Sequence, residues 1–322
     1  MNLAQRLLDA ERGLVLLGQF AMSHPDAACM RALAAYIAEA TACAFNTLRH
    51  GANPVGAWLA GAVPQALQAA DDTSRGKNVV QMLEQDNNCL LLWDFEPELD
   101  LDNPARATKS LSAAEKVIAV TSFASDSIKA MADIILPLAP VAESEGSLLN
   151  FDGDHTQFTP AGKLTGEARP GWKILRRLGH ALGLDGFDQI DLGQLQAEVN
   201  EWVGQAELKA TLTELQVPEY EDGLYRIGEL PMYSIDALCR RSDALQQTVQ
   251  AQNDFLGLNP VDADKIGLVD GALARVRQGE NEAKLEVIVS SKVPAGGVWV
   301  RCATSQVCEL GQAIGPVVVE IA

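Results

Sequence analysis

Short apolar runs alternate with helical patterns over roughly the first 220 residues of the chain. The run Leu14–Leu17 is apolar on both faces and ends at Gly18, a pattern that predicts a buried parallel strand. Because stretches with helical periodicity separate the runs, right-handed βαβ crossovers and a parallel sheet are expected. The strands predicted in this region are Leu14–Leu17, Ala42–Phe45, Cys89–Trp93, Val117–Val120 and Ile134–Leu136.

Helical periodicity fills the intervals between these runs. A helix that begins after Pro25 carries Met30, Leu33, Tyr36 and Ile37 on one face, as expected for a helix packed on a sheet. The other helices predicted before residue 220 span 78–85, 125–131, 170–184 and 192–206.

After Gly223 the pattern changes to short β-type runs separated by turn residues. One helix interrupts them, with Asn259 expected as its N-cap, Pro260 as its first residue and Gly267 as its end. The β-type runs lie at 273–277, 284–289, 298–300 and 317–321.

The length of the chain favours two domains. A chain of 322 residues can bury a large core, and about two domains are expected at this size. The segment 217–223, which contains Pro and Gly among acidic residues, breaks the periodic pattern and marks the boundary. We therefore predict an α/β domain over 1–220 and a β domain over 224–322.

The charge balance is strongly acidic, with 43 Asp and Glu against 25 Lys and Arg and a formal net charge of −18. Such a surface is repelled by phosphate backbones and anionic lipids, so no nucleic-acid binding and no direct membrane insertion are expected. The sequence has no apolar run of about 18 residues and no signal-peptide core. A cytoplasmic protein with a solvated acidic surface is the simplest interpretation, and a basic partner subunit is the alternative.

The sequence contains no recognisable metal or catalytic motif. The six cysteines include no CxxC pair, whereas iron–sulfur and zinc sites need several closely spaced thiolates. They are expected to be reduced and buried. No two of the four histidines are spaced i,i+4, and GxGxxG and GxSxG are missing. No catalytic residue and no metal ligand is predicted, although spacing neither predicts nor excludes a Ser-His-Asp arrangement.

The stretch 132–175 carries the most specific pattern. A short apolar strand is followed by Glu143, Gly146 and Asn150 at fixed spacing, then by a polar loop and a helix that begins Glu-Ala-Arg-Pro. This order resembles the molybdopterin oxidoreductases, in which the matching loop lies near the cofactor cleft. The resemblance implies that Glu143, Gly146, Asn150 and Gly153 mark a vestigial pterin-cleft loop. The loop follows the carboxyl end of a parallel strand, where α/β sheets bind ligands.

One position departs from the family pattern. Members of the family usually continue Asn-x-Glu-Gly-Arg, but Asp154 stands in this chain where the Arg would be. An anion at this position would repel the phosphate of a pyranopterin. The alternative interpretation is structural: Gly146 and Gly153 permit turns, while Glu143 and Asn150 satisfy loop amides.

Two further segments narrow the resemblance. The Glu-Pro-Glu-Leu-Asp sequence at 96–100, and the segment 225–246 with its Arg240-Arg241 pair, resemble the large peripheral-arm subunit of bacterial NADH:quinone oxidoreductase, the respiratory complex I. The two arginines are expected to form internal ion pairs or to contact a partner. The order of residues from Asn259 through Gly267 to the following β run resembles the molybdopterin-dinucleotide-binding domain, a double-psi β-barrel.

These resemblances, which cover essentially the whole chain, imply an α/β fold. Its parallel Rossmann-like sheet has flanking helices and is followed by a C-terminal double-psi β-barrel. The implied function is that of a structural lobe of NADH:quinone oxidoreductase, cytoplasmic and peripheral to the inner membrane through the complex. No redox centre is expected on this chain. The iron–sulfur clusters of that large subunit belong to N-terminal domains that this chain lacks, and the molybdopterin of the family is expected to be lost. The implied partners are those N-terminal domains and the other peripheral-arm subunits, and missing strands would leave an exposed apolar edge.

Two other classes remain open from the sequence. One is a fragment of a molybdopterin-dependent oxidoreductase, similar to a formate dehydrogenase, for which bound pterin would be the deciding observation. The other is a free-standing, non-catalytic interaction protein, which would fold alone and associate with no subunit of NADH:quinone oxidoreductase.

Overall fold

The computed structural model describes residues 3–48, 51–62, 76–150, 153–205, 218–251 and 254–322. The helices are α1 Leu3–Leu8, α2 Gln19–Met22, α3 Ala27–Ala40, α4 Pro54–Leu59, α5 Val79–Leu83, α6 Pro97–Asp100, α7 Pro104–Ala113, α8 Asp126–Met131, α9 Gly171–Ala181, α10 Leu192–Gln205, α11 Ala237–Arg240, α12 Asp243–Gln246 and α13 Pro260–Ile266. The strands are β1 Leu14–Leu17, β2 Ala44–Thr47, β3 Cys89–Trp93, β4 Lys116–Thr121, β5 Ile134–Pro137, β6 Gly146–Leu149, β7 His155–Phe158, β8 Leu224–Ile227, β9 Phe255–Leu258, β10 Leu273–Gln278, β11 Asn281–Val289, β12 Gly297–Trp299 and β13 Ile314–Ile321. Short 3₁₀ helices cover Val141–Glu143, Met232–Ser234 and Val249–Ala251.

The chain divides into two compact units, each assembled from separate segments. The first unit comprises residues 1–78, 141–162 and 172–220, and the second comprises 79–140, 163–171 and 221–322. The predicted division into domains at 1–220 and 224–322 stays a prediction. Among the described residues, no helix combines the length and the apolar character that crossing a membrane requires.

The first unit contains a two-stranded parallel sheet with α3 packed against it. Strands β1 and β2 pair from Leu14 opposite Ala44 to Leu17 opposite Thr47, so the predicted parallel pairing is confirmed and the second strand begins two residues later than expected. The prediction that β1 is buried on both faces is wrong, because Leu14 is 60% and Leu16 46% exposed. In the described chain, α3 covers the opposite face of this narrow sheet.

Helix α3 forms as predicted but buries a different stripe. Its buried residues are Ala34 and Ala38, whereas Leu33, Tyr36 and Ile37 are exposed. Small alanine side chains let the helix backbone approach the strands closely, and the larger side chains one position before them then point away. The predicted apolar face is therefore largely a surface in this unit.

The second unit contains a three-stranded parallel sheet in the order β3-β4-β5. Its strands confirm the apolar runs predicted from the sequence, and β5 continues through Pro137. Because its first pairs join Cys89 to Lys116 and Ile118 to Ile134, the three strands run in register with buried Val117 and Ala119 at the centre. The described strands thus form parallel sheets, but two separate ones where a single sheet was predicted.

Helical caps in this unit follow from the sequence. Ser125 accepts a hydrogen bond from the Ile128 amide at the start of α8, and Asn103 accepts one from the Arg106 amide at the start of α7. A side-chain oxygen at this position satisfies an amide that has no partner within its helix. The cap of α8 agrees with the helix predicted at 125–131.

The rest of the second unit is a closed six-stranded barrel. Its strand order is β10-β11-β9-β12-β8-β13, closed by the β13–β10 pair. The pairs β9–β11 and β8–β12 are parallel, and the other four are antiparallel. The residues that fill the core alternate along the strands, and the largest of those without solvent contact are Leu256, Leu258, Leu285, Leu310, Val276, Val287, Val298 and Val300. The closed barrel agrees with the expected β domain, while its double-psi connectivity stays a prediction.

Helix α13 begins and ends as the sequence predicts, and it contacts β13 of the barrel. The Asn259 side chain accepts a hydrogen bond from the Val261 amide, and Pro260 is the first helical residue. Gly267 ends the helix in the left-handed region at φ 80°, which glycine adopts without steric cost. Start, first residue and end are all confirmed.

Candidate functional site

The predicted pterin-cleft loop folds as a β-hairpin in the first unit. Glu143 ends a 3₁₀ helix, Gly146 opens β6, and Asn150 follows the last residue of that strand. Strand β6 pairs antiparallel with β7. Because a strand rises about 3.3 Å per residue, Gly146 and Asn150 lie roughly 13 Å apart along it.

Asn150 and Asp154 close the turn of this hairpin. The Asn150 side-chain oxygen accepts from the Asp154 amide at 2.8 Å, and the Asn150 amide donates to the Asp154 carbonyl at 3.1 Å. Gly153, at φ 89°, supplies the left-handed residue of the turn and donates to the Asn150 carbonyl at 3.2 Å. These contacts give Asn150, Gly153 and Asp154 a local structural role.

Gly146 lies close against Phe158 across the hairpin. A Cβ atom at this position would lie 2.9 Å from the ring of Phe158, closer than side chains tolerate. Glu143 is half-buried, with its Cγ beside Gly162 on the chain that leaves the hairpin. Gly146 thus has a local packing role in the hairpin.

A second polar constellation lies where α/β sheets bind ligands, at the carboxyl ends of the strands. Asp94 follows β3 and adopts φ 49°, a left-handed conformation that Asp tolerates better than most residues. Its amide donates to the Val120 carbonyl at 2.7 Å, and its carboxylate accepts from the Ser122 amide at 2.9 Å. Asp94 therefore joins the loops that follow β3 and β4.

The centre of this edge is a group of charged residues that we name the Glu96 cluster: Glu96, Asp100, Arg240 and Arg241. Glu96 Oε2 accepts from Arg240 Nε at 2.9 Å and from Arg241 Nη1 at 3.0 Å, while Oε1 accepts from Arg241 Nη2 at 2.5 Å. Arg240 Nη1 also pairs with Asp100 at 2.8 Å. The side chain of Glu96 is 3% exposed and that of Arg240 is 9% exposed, so both charges are almost completely removed from water.

Local structure holds both sides of the cluster in place. Glu96 precedes α6, and its amide donates to the Asp100 carboxylate at 2.7 Å, which fixes the turn that presents it. Arg240 ends α11, whose first turn is capped by Asp236 through the Cys239 amide at 2.7 Å. Arg241 follows directly, so one short helix end delivers two guanidinium groups.

Further contacts fix the two guanidinium groups. Arg240 Nη1 donates to the Ser234 carbonyl at 2.9 Å. Arg241 stacks over the ring of Phe123, 4.9 Å from its centroid, in a cation–π contact that holds the planar group in place. The rigid fork of arginine suits this arrangement better than the single ammonium of lysine.

Opposing effects set the pKa of Glu96. Burial works to raise it, but the hydrogen bond from Arg241 and the positive charges of Arg240 and Arg241 outweigh burial and hold the pKa below its ordinary value. The same hydrogen bond raises the pKa of Arg241. Glu96 and Arg241 are therefore both ionised at neutral pH.

The sequence left two roles open for Arg240 and Arg241, and the structure shows the internal one. Their partner, Glu96, lies 144 residues away from Arg240, so no local spacing could reveal it. The available signals were the resemblance of both segments to one family and the position of Glu96 three residues after the end of β3.

The barrel contains a buried cation of its own, Arg226 on β8. It is 2% exposed and donates to the carbonyls of Val300 at 3.2 Å, Arg301 at 3.1 Å and Gly311 at 3.3 Å. Burial lowers its pKa, while nearby Cys302 and Asp102 act in the opposite direction. Sequence reasoning did not single out Arg226.

The six cysteines are free, as predicted, but the prediction that they are buried is wrong. Cys89 is exposed at the start of β3, and the other five are half-buried. Burial of its thiol raises the pKa of Cys302 to about 11, and its Sγ donates to the Gly228 carbonyl at 3.2 Å. Among the described residues, no group of three His, Cys, Asp or Glu side chains could hold a metal ion. His50 lies outside the described residues.

Comparison with known proteins defines the class. Residues 1–181 match a protein family described as molybdopterin oxidoreductase. This match covers more than half of the 322 residues, and the chain belongs to the molybdopterin oxidoreductase family.

Two relatives show how much of the chain is shared. Over 113 residues the chain is 30% identical to the assimilatory nitrate reductase catalytic subunit of Bacillus subtilis (strain 168). This aligned stretch covers 34% of the chain and 16% of the relative. The structure of acetylene hydratase from Pelobacter acetylenicus matches with a TM-score of 0.51 and 14% identity over 73% of this chain and 44% of that one. The second likeness shows the fold alone. The chain spans less than half the length of either protein.

The family implies a molybdopterin cofactor, whose phosphate needs positively charged or amide donors. At the carboxyl edge of the β3-β4-β5 sheet, the guanidinium groups of Arg240 and Arg241 are already engaged by the chain's own carboxylates. In the hairpin, the Asp154 amide donates to Asn150, and the Asp154 side chain adds a negative charge. These donor sets do not fit an anionic, phosphate-bearing cofactor.

Proposed function

We propose that this chain is part of a molybdopterin-family oxidoreductase and works in it as a structural lobe that binds no redox centre of its own. Family membership supports the class. The Glu96 cluster supports the proposal of a structural role. It lies at the sheet edge where α/β folds bind ligands, and there the two arginines bind a carboxylate of the chain itself.

The reaction of the whole oxidoreductase does not follow from the fold. One relative is named as a nitrate reductase and the other as an acetylene hydratase, so related chains carry different activities. We therefore propose only the class, a molybdopterin-dependent oxidoreductase, and name no substrate.

Cofactor analysis of the purified chain tests this proposal. We expect Mo, W and Fe, measured by inductively coupled plasma mass spectrometry, to lie well below one equivalent, and oxidised-pterin fluorescence after denaturation to stay at background. A preparation from cells grown without molybdate sets that background. Near-stoichiometric pterin with Mo or W would overturn the structural role and make this chain a cofactor-binding part of the enzyme.

A second candidate is the narrower assignment to the peripheral arm of NADH:quinone oxidoreductase. One observation favours it: the two segments that resemble the large subunit of that arm, 96–100 and 225–246, meet through the ion pairs of the Glu96 cluster. On this proposal the chain is cytoplasmic, peripheral to the inner membrane, and bound to peripheral-arm subunits and iron–sulfur domains.

Affinity purification from the native host separates the two candidates. If the second holds, a tagged chain will recover peripheral-arm subunits and NADH-oxidising activity from membranes solubilised in mild detergent. An untagged strain and a tagged unrelated acidic protein are the controls. Recovery of molybdopterin enzyme subunits instead would favour the first proposal, and recovery of the chain alone would favour a free-standing interaction protein.

A further inference from the structure

Two guanidinium groups converge on a single carboxylate in the Glu96 cluster. Arg240 Nε and Arg241 Nη1 both reach Glu96 Oε2, and Arg241 Nη2 reaches Oε1. This arrangement is a forked set of donors around one oxyanion, the geometry with which arginines bind carboxylate and phosphate groups.

The donors are held independently of the anion that they bind. Phe123 lies under the Arg241 plane, while Ser234 and Asp100 hold Arg240 from the side. Because of these contacts, removal of Glu96 would leave two positioned guanidinium groups, on side chains that are 9% exposed in Arg240 and 33% exposed in Arg241.

We infer that Arg240 and Arg241 form a built oxyanion site and that the chain fills this site with its own Glu96 side chain. The site takes a carboxylate, or another oxyanion of similar size. This inference goes beyond the proposed function, and it holds whether or not the chain is found to bind pterin.

The charge balance of the site explains why an external anion would enter once Glu96 is removed. The carboxylates of Glu96 and Asp100 offset the charges of Arg240 and Arg241. Without Glu96, Arg240 still pairs with Asp100, whereas Arg241, whose side chain is 33% exposed, loses the carboxylate that it binds. A bound anion would restore that pairing. Substitution Glu96→Ala deletes the CH₂–COO⁻ group, which is the size of an acetate ion.

Chemical rescue with acetate tests the inference. Thermal unfolding of Glu96→Ala is followed in acetate and in acetamide, its neutral counterpart, at constant ionic strength set with chloride. We expect a saturable rise in Tm with acetate only. At a concentration one hundred times the Kd, binding shifts the ratio of folded to unfolded protein about one hundredfold.

Two matched variants control for general effects of salt and charge. Glu96→Gln keeps the site filled, so acetate is expected to leave its Tm unchanged. Glu320→Ala removes one carboxylate from an exposed ion pair with Arg277, at 2.9 Å, and is expected to respond to acetate no more than the unaltered chain does. Adding Arg241→Gln to Glu96→Ala is expected to abolish the rescue.

Three outcomes would overturn the inference. The first is an equal rise in the Tm of Glu96→Ala with acetate and with acetamide. The second is a rise with acetate that persists when Arg241→Gln is added. The third is a rise in Glu96→Gln as large as that in Glu96→Ala. If Glu96→Ala does not fold in chloride, its refolding yield is measured in acetate and in acetamide. A yield that acetate does not raise above acetamide would also overturn the inference.

Discussion

Replacing Glu96 with alanine will destabilise the second unit by about 3–5 kcal/mol, the cost of removing one partner from a buried ion pair. The magnitude follows from the burial of Glu96 and Arg240, whose side chains are 3% and 9% exposed. Arg240 then keeps only Asp100 as a counterion, and Arg241, whose side chain is 33% exposed, loses the carboxylate that it binds. Glu96→Gln, which keeps a hydrogen-bond acceptor but loses the charge, should fall between the alanine variant and the unaltered chain.

Hydrogen exchange measured by mass spectrometry locates this effect. Amides of the segments 94–102 and 232–246 should lose protection together, because the ion pairs join these segments. Glu320→Ala at the exposed Arg277 pair is the matched control, with an expected loss of at most about 1 kcal/mol. A similarly small loss for Glu96→Ala would show that the Glu96 cluster contributes little to stability.

The contribution of Glu96 will also depend on pH. Because its pKa is lower in the folded chain than the ordinary value of 4.5, the stabilisation is fully present above that value. It is lost as the pH falls through the lower, folded-state pKa. The difference in unfolding free energy between the unaltered chain and Glu96→Gln should therefore be constant near neutral pH and shrink below about 4.5.

The elements that the sequence predicts correctly are those with local signals, such as an apolar run or a helix cap. Strands β3 and β4 are recognisable as apolar runs, although only β4 is buried along most of its length. Helix α13 is recognisable because its cap and its terminal glycine are local features. Strand β8 was missed because Arg226 interrupts its apolar run. Strand β9 was missed because Gly257 weakens the pattern, although a Cβ there would lie 3.1 Å from that of Trp299.

Errors arose where burial depends on the partner that an element finds. Helix α3 has two neighbouring apolar stripes that could face the sheet, one with Leu33 and Ile37 and one with Ala34 and Ala38. The close approach of the helix to β1 and β2 determines that the alanine stripe is the buried one. Likewise, the apolar run of β1 does not indicate how many strands its sheet has, and the described sheet has two.

The candidate site shows the same limit of sequence reasoning. Family resemblance directed attention to Glu143–Gly153, where the structure shows a hairpin closed by its own hydrogen bonds. A buried ion pair instead joins Glu96 to Arg240, a pairing between distant positions that periodicity and spacing do not report. Resemblance noted both of its segments without predicting that they meet.

Replacing Arg226 with methionine will destabilise the barrel by about 3 kcal/mol or more, because several buried carbonyls lose a charged donor at once. Arg226 bonds the carbonyls of Val300, Arg301 and Gly311, which belong to the chain between β12 and β13. In the described part of the chain, no carboxylate lies within ion-pair distance of it. Its role is therefore to satisfy backbone groups, and its charge is stabilised by their dipoles.

Arg226→Lys separates the effect of charge from that of geometry. Lysine keeps the positive charge but offers one ammonium in place of a planar fork, so it cannot reach carbonyls on several sides of the guanidinium. We expect most of the loss to remain, measured as the unfolding free energy in guanidinium chloride and as exchange of the β8 and β13 amides. Arg277→Met, which removes an exposed ion pair with Glu320 on the barrel surface, should lower stability by at most about 1 kcal/mol. Full stability of Arg226→Lys would contradict this role, because the charge alone would then suffice to hold the loop against β8.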